Sequence, residues 1–159
     1  MDKLWAPWRI NYLKAKKSTT CIFCEAARGK KKNTVIFKKK NCLCLLNIFP
    51  YNNGHIMVSP LRHVGELSDL TDTETLEVFK TVASATKLLD TILQPDGYNI
   101  GINLSEFAGA GIPGHLHIHI VPRWKGDTNF MPVIANTKII SQSLKELFTL
   151  LKNAYAKTN

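Results

Sequence analysis

His115-Leu116-His117-Ile118-His119-Ile120-Val121 alternates imidazole with aliphatic side chains along its length. In an extended strand, successive side chains point to opposite faces, so residues i, i+2 and i+4 share one. The alternation predicts a strand over 115–121, with three imidazoles in a row about 6.5–7 Å apart. Leu116, Ile118 and Ile120 would then face an apolar layer behind it. Three titratable rings make poor core, because each buried ring needs a polar partner to offset its desolvation. The row therefore reads as a functional face. Two chemistries suit it: a metal centre, since His-x-His presents two nitrogens to one ion, or a nucleophilic site handling phosphate. Gly109, Gly111 and Gly114 form a glycine-rich turn just before the row, where backbone amides can approach an anion closely.

Working outward, strands are predicted over 34–37 and 42–46 around the charged turn Lys38-Lys-Lys-Asn41, and over 55–59, stopped by Pro60. A helix follows, with Thr71 as N-cap and Glu74 three residues on, as in a capping box. Leu76, Phe79, Val82, Ala83, Leu89, Ile92 and Leu93 recur at spacings of three and four and are expected to face the sheet. Pro95-Asp-Gly97 ends that helix, and 98–104 supplies a fourth strand before the histidine row as a fifth. A second amphipathic helix is expected over 141–155, with Leu144, Leu147, Phe148 and Leu151 inward. Strands in hairpin-like succession with helices to one side predict an α+β domain built on an antiparallel sheet.

Cysteine and charge usage narrow the class further. Cys21-Ile-Phe-Cys24 has the spacing with which two thiolates grip a tetrahedral metal, whereas Cys42 and Cys44 fall in an apolar strand and read as core. Net charge is +9, but residues 1–40 hold 12 Lys and Arg against Asp2 and Glu25, and the remainder is nearly neutral. Runs at Lys14, Lys16 and Lys17, at Lys30 to Lys32 and at Lys38 to Lys40 read mainly as a solvated face, with a surface that gathers an anionic substrate or nucleic acid the less favoured alternative. No apolar run reaches the ~20 residues of a membrane span, and no secretory leader is evident, so a cytoplasmic protein without disulfides is expected. With 159 residues, 45% of them hydrophobic and no composition break, the chain is expected to be one domain: a basic leading segment with the cysteine knuckle (1–33) and a core (34–159).

His115-Leu-His117-Ile-His119-Ile-Val121 resembles the signature of the histidine triad (HIT) superfamily of nucleotide hydrolases and transferases. The similarity extends to Leu4-Trp-Ala-Pro-Trp-Arg9, Cys21-Ile-Phe-Cys24, the segment from Asn47 to His55, Pro60-Leu-Arg-His63, Leu67-Ser-Asp-Leu-Thr71 and Val121-Pro-Arg-Trp124. The branch it most resembles is the fragile-histidine-triad-like bacterial one, which includes dinucleoside polyphosphate hydrolases and phosphorylases. This resemblance implies a five-stranded antiparallel sheet with two main helices, and cleavage of a dinucleoside polyphosphate such as diadenosine tetraphosphate at its α-phosphate. It makes His117 the nucleophile that becomes a covalent nucleotidyl-histidine, with Nε2 neutral and Nδ1 held by a backbone carbonyl. His55 and His119 contact phosphate oxygens, Asn103 the phosphate or leaving group, and Asn47 the ribose. It also implies a structural Zn2+ on Cys21, Cys24, His63 and His115, and a homodimer whose sheets join.

The pattern departs from that branch in one place. Gly111 stands where many members have a glutamine that bonds the bridging phosphate, and Ala110-Gly111 stands where phosphorylase-like members have Gly-Ser. Gly111 is still counted among the substrate-contacting positions, Ser105 is a substitute donor, and the acceptor, water or phosphate, is left open. A nucleotide sensor with negligible turnover and a phosphoramidate hydrolase are the alternatives. An apolar purine pocket is expected from Leu46, Ile48 and Phe23, with the Trp5 and Trp8 segment and Trp124 as dimer or lid contacts.

Overall fold

A computed structural model describes residues 20–128, 134, 140 and 142–158. The Trp5 and Trp8 segment lies outside them. The elements are α1 (Ile22–Ala27), β1 (Val35–Lys38), β2 (Cys42–Leu46), β3 (Ile56–Pro60), α2 (Asp72–Leu93), β4 (Gly97–Ile102), β5 (Ile118–Arg123) and α3 (Leu144–Thr158). The strands form one five-stranded sheet in the order β1-β2-β3-β5-β4, every neighbouring pair antiparallel. The α+β expectation is met.

The sheet is covered on both sides, which is why β2 and β3 are buried at every position. On one side α2 and α3 pack over Ile36, Cys44, Leu46, Ile56, Val58, Ile118 and Ile120. On the other, Phe23 and Ala26 of α1 close over Leu43, Leu45 and Met57. Cys42 and Cys44 belong to the helix-side core, as their strand context predicts, and Cys42 Sγ lies 3.0 Å from Thr81 Oγ1. Since β3 pairs Met57 with His119, the histidine row lies on the α1 side. Leu46 therefore points away from it, and the expectation that Leu46 lines a purine pocket is corrected by strand alternation.

Helix α2 starts at the predicted capping box: Thr71 Oγ1 accepts from Glu74 N at 3.2 Å, and Thr71 N donates to Glu74 Oε2 at 3.0 Å. Its inward face differs from the expected one. Val78, Thr81, Val82, Ala85, Leu88 and Leu89 are buried, while Leu76 and Phe79 are 56% and 59% exposed, and Ala83 is exposed. The sequence offers two apolar stripes, and Glu74 decides between them. Its buried carboxylate receives Arg62 Nε at 2.9 Å and Nη2 at 2.7 Å, which turns the stripe from 74 through 78 and 82 onto the sheet. Strand β5 begins at Ile118 rather than 115, because Leu116 N donates to Val64 O, at 2.6 Å, in the loop after β3. Helix α3 runs somewhat later than the expected 141–155, with Leu147 and Leu151 buried and Leu144 and Phe148 partly so.

Candidate active site and metal centre

The turn between β2 and β3 delivers His55. Gly54 has φ +75°, and a Cβ there would meet Leu93 Cδ1 at 2.5 Å and Pro122 Cγ at 2.9 Å, so only glycine brings the chain this close to α2 and β5. Asn47 N donates to His55 O at 3.0 Å and His55 N to Asn52 O at 3.2 Å, closing the loop. The loop then fixes the ring. Tyr51 N donates to His55 Nδ1 at 3.1 Å, and Asn47 Nδ2 lies 3.2 Å from the same atom, so Nδ1 is an acceptor and Nε2 carries the proton. His55 Nε2 lies 2.9 Å from His119 Nδ1 and donates to it. His119 is thus protonated at Nε2, and that buried N–H has no hydrogen-bond partner among the described residues.

His117 has the opposite tautomer. Its Nδ1–H donates to His115 O at 2.8 Å, leaving the Nε2 lone pair free. Phe23, fully buried, stacks beneath it with ring centroids 4.7 Å apart, and His119 meets it edge-on at 4.9 Å. A lone pair and an unpartnered N–H therefore stand side by side. Burial keeps all three rings neutral. His55 is pushed down to about 3 by burial and then by His119 and His117, and His119 to about 4 by burial and then by His117. His117 is also lowered by burial, against the opposing pull of the His115 carbonyl.

His115 belongs to a different cluster. Its Nε2–H donates to Pro60 O at 2.9 Å, which aims the Nδ1 lone pair at the start of α1. There Nδ1 lies 3.1 Å from Cys21 Sγ, 3.5 Å from Cys24 Sγ and 3.2 Å from His63 Nδ1, and Cys24 Sγ lies 3.3 Å from His63 Nδ1. All four donor atoms fall within 4.8 Å of one another. A tetrahedron with bonds of about 2.0–2.3 Å has edges of roughly 3.3–3.8 Å, so this set can hold a small cation with little movement. Burial and the neighbouring Cys21 raise the Cys24 thiol, a cost that a bound cation removes.

The remaining expected residues fall in various places. Gly101 of β4 is directly opposite His119, and Asn103 follows two residues on beside Gly109, where a Cβ would lie 3.8 Å from Asn103 Nδ2. Gly111 is exposed in the turn before His115, and Ile48 is half exposed next to Asn47. Phe23 is 1% exposed and packs on His115 and His117, so it supports the row from below and is no pocket wall. Trp124 Nε1 donates to Leu93 O at 3.3 Å, securing the end of α2. Ser105 accepts from Phe107 N, with φ +70° and ψ 164°.

Sequence reasoning missed the braces. Asn52 Nδ2 donates to Pro122 O and to Asp127 Oδ2, each at 2.9 Å, while Arg123 holds Asp127 through Nε at 2.6 Å and Nη2 at 2.8 Å. This ties the His55 loop to the end of β5. Only the i, i+4 spacing of Arg123 and Asp127 hinted at it. Tyr51 was also missed; its ring lies 4.8 Å from that of His55 and 5.9 Å from that of His119.

Comparison with known proteins agrees with this geometry. A family model described as the HIT domain matches residues 28–126. The AP-4-A phosphorylase of Mycobacterium tuberculosis is 36% identical over 167 residues, which span 99% of this chain and 86% of that one. The asymmetrical bis(5'-nucleosyl)-tetraphosphatase of Schizosaccharomyces pombe is 34% identical over 93 residues, 58% of this chain and 50% of that one. Among solved structures, a Zn-bound histidine triad family protein from Mycobacterium smegmatis superposes with a TM-score of 0.71 at 27% identity, covering 89% of this chain and 96% of the other.

Proposed function

The chain belongs to the HIT family, and from that premise we propose that it is an enzyme cleaving dinucleoside polyphosphates at an α-phosphate through a nucleotidyl-histidine on His117. One observation carries the reading: His117 offers its Nε2 lone pair beside the buried, unpartnered Nε2–H of His119. The lone pair forms the N–P bond while the bridging P–O bond breaks and the nucleoside polyphosphate leaves with the electron pair. Water or phosphate then attacks phosphorus, the P–N bond breaks, and His117 recovers its lone pair. His119 donates to a phosphate oxygen, and His55 acts through it by fixing its tautomer and by sharing the anion's surroundings. Asn103 and the backbone at Gly111 hold the phosphates at the far side, and Asn47 binds the ribose. The phosphorylase and tetraphosphatase names of the relatives support this substrate class and represent both acceptors.

Cys21, Cys24, His63 and His115 would hold a zinc ion. Bound there with four protein ligands and no open position, it supplies structural crosslinking rather than Lewis acidity. The Zn-bound relative supports that identity. Dimerisation through β4 is supported by its place at the end of the sheet and by the half-exposed Ile100 on it. A cytoplasmic location suits two thiolates kept reduced as metal ligands. No helix among the described residues is long and apolar enough to cross a membrane. The lysine runs are partly absorbed by the fold: Lys38 Nζ donates to Ala27 O at 2.9 Å, Lys30 pairs with Glu25, and Lys39 lies over the Phe37 and Tyr155 rings. Nucleic acid is therefore not the favoured partner.

The test is product analysis of wild type and His117→Asn with diadenosine tetraphosphate, with and without phosphate. Wild type should give AMP plus ATP if water accepts, or ADP plus ATP only with phosphate present, and the variant should bind nucleotide without turnover. Retained turnover in the variant overturns the assignment of His117. Binding without cleavage by wild type means a sensor, and cleavage of adenosine 5'-phosphoramidate alone means a P–N hydrolase.

A further inference from the structure

Gly101 occupies a position at which nothing inside the molecule requires glycine. It lies within β4, φ is not in the left-handed region, and a Cβ built there would meet no atom within 4 Å. Glycine inside a strand weakens it and often marks the close approach of a ligand or of another backbone. Its register shows which side is kept clear. Ile100 pairs with Ile120 and Ile102 with Ile118, whose side chains belong to the helix-side core, so Gly101, paired with His119, faces the histidine side. A side chain at 101 would stand about 4.5–5.5 Å from that of His119, Cβ to Cβ. The next position on that face toward the strand's start is filled, since Arg123 Nη1 donates to Asn99 Oδ1 at 2.7 Å. In the other direction lies Asn103. Between Asn99 and Asn103, Gly101 therefore leaves an open lane on the histidine face of β4, beside His119.

We infer that the lane over Gly101 holds the leaving half of the substrate, the nucleoside polyphosphate beyond the attacked phosphorus, and that the missing side chain at 101 is what admits so long a leaving group. This rests on the nucleotidyl-histidine reading, because it is attack by His117 that divides the substrate into a retained nucleotide and a departing one. The retained nucleotide lies toward Asn47 and His55. The departing chain of phosphates takes the His119 N–H as its first donor and passes over Gly101, where any Cβ substituent would fill its path. Residue 101 then sets substrate length without taking part in the chemistry.

Gly101→Val and Gly101→Ala test this, because valine suits an exposed strand and neither variant meets a clash inside the protomer. Calorimetric titration of wild type and both variants would use AMP, which fills the retained side only, and a diadenosine tetraphosphate with methylene in place of both α,β-bridging oxygens, which is not cleaved. Thermal melts and sedimentation would accompany it. The expected result is an unchanged or raised melting temperature, AMP affinity within about 2-fold of wild type, and bridged-analogue affinity at least about 10-fold weaker in the valine variant, with alanine in between. Equal losses for both ligands, or none for the analogue, overturn the inference. Loss of the dimer with both affinities falling together also overturns it, and assigns the glycine to the subunit contact. Wild type that binds neither ligand overturns the nucleotide reading itself, and the inference with it.

Discussion

Three neutral imidazoles share one small site in two tautomers, and each tautomer is set by a single backbone contact. The His115 carbonyl holds the proton of His117 on Nδ1, while Tyr51 N occupies Nδ1 of His55 and so places the protons of His55 and His119 on Nε2. Nitrogen-detected NMR of the imidazoles at pH 7 should therefore report the Nδ1–H form for His117 alone among the three. An Nε2–H form at His117 would remove its lone pair from the site and defeat the mechanism. Ser105 is strained, because its φ of +70° with ψ of 164° lies in a region open essentially to glycine. Relief of that strain should make Ser105→Gly more stable by about 1 kcal/mol in urea denaturation, after allowance for the greater freedom of glycine in the unfolded chain. No change would mean that the bond from Phe107 N to Ser105 Oγ offsets the strain. The histidine row was legible from its alternation, although only His119 lies within β5 and His115 and His117 approach it from the segment that Leu116 N ties to Val64 O. The tautomers were not, because they depend on Tyr51 and on the His55 loop, which meets His119 across 64 residues.

Between elements, the candidate metal centre draws one donor pair from the start of α1 and one histidine each from the loop after β3 and the approach to β5. Helix α1 is six residues long and has no side-chain N-cap bond at Cys21, so it is held to the sheet by Phe23 and Ala26, by the partly buried Ile22 and Ala27 and by the bond from Lys38 to Ala27 O. Metal analysis should find about one zinc per chain. It should be lost in Cys24→Ser and His63→Ala and kept in Cys42→Ser, whose thiol lies in the helix-side core. A strong chelator should lower the melting temperature and loosen α1 first, as read by hydrogen exchange; exchange unaffected by metal removal would dissociate the centre from the fold. At the other end of the β3 exit, Thr71→Ala should cost about 1 kcal/mol in denaturant stability through loss of the cap on α2. That cap could be read directly from Thr71 and Glu74. The rotation of α2 could not, because Leu76, Phe79 and Ala83 repeat as regularly as Val78, Val82 and Ala85. The choice between them rests on Arg62 reaching Glu74 from another element.

For the molecule as a whole, the histidine cluster makes stability depend on pH in a defined direction. In the unfolded chain each histidine takes up its proton near pH 6.5, whereas in the folded protein burial holds His55 down to about 3 and His119 down to about 4. Between about pH 6.5 and 4 the unfolded state therefore binds more protons than the native one, so stability rises with pH and is lost as pH falls through that window. Two histidines acting fully would give a slope of about 2.7 kcal/mol per pH unit, and partial solvent access at His119 reduces that to roughly 2. The carboxylates act in the same direction but lower down. Arg62 and the Thr71 cap hold Glu74 down to about 2, and Arg123 holds Asp127 below the usual carboxylate range, so their contribution is present above about pH 4 and is lost beneath it. Urea denaturation at pH 7, 6 and 5 separates the two sets, with wild type compared against the His55→Gln, His119→Gln double variant. The metal ligands, His117 and the carboxylates are common to both proteins and cancel in the comparison, so the wild-type curve should fall more steeply and the two should converge toward acid pH. Parallel curves would mean that His55 and His119 take up protons inside the native fold. The buried N–H of His119 would then be that of an imidazolium awaiting an anion, and the neutral-donor geometry beside His117 would have to be redrawn.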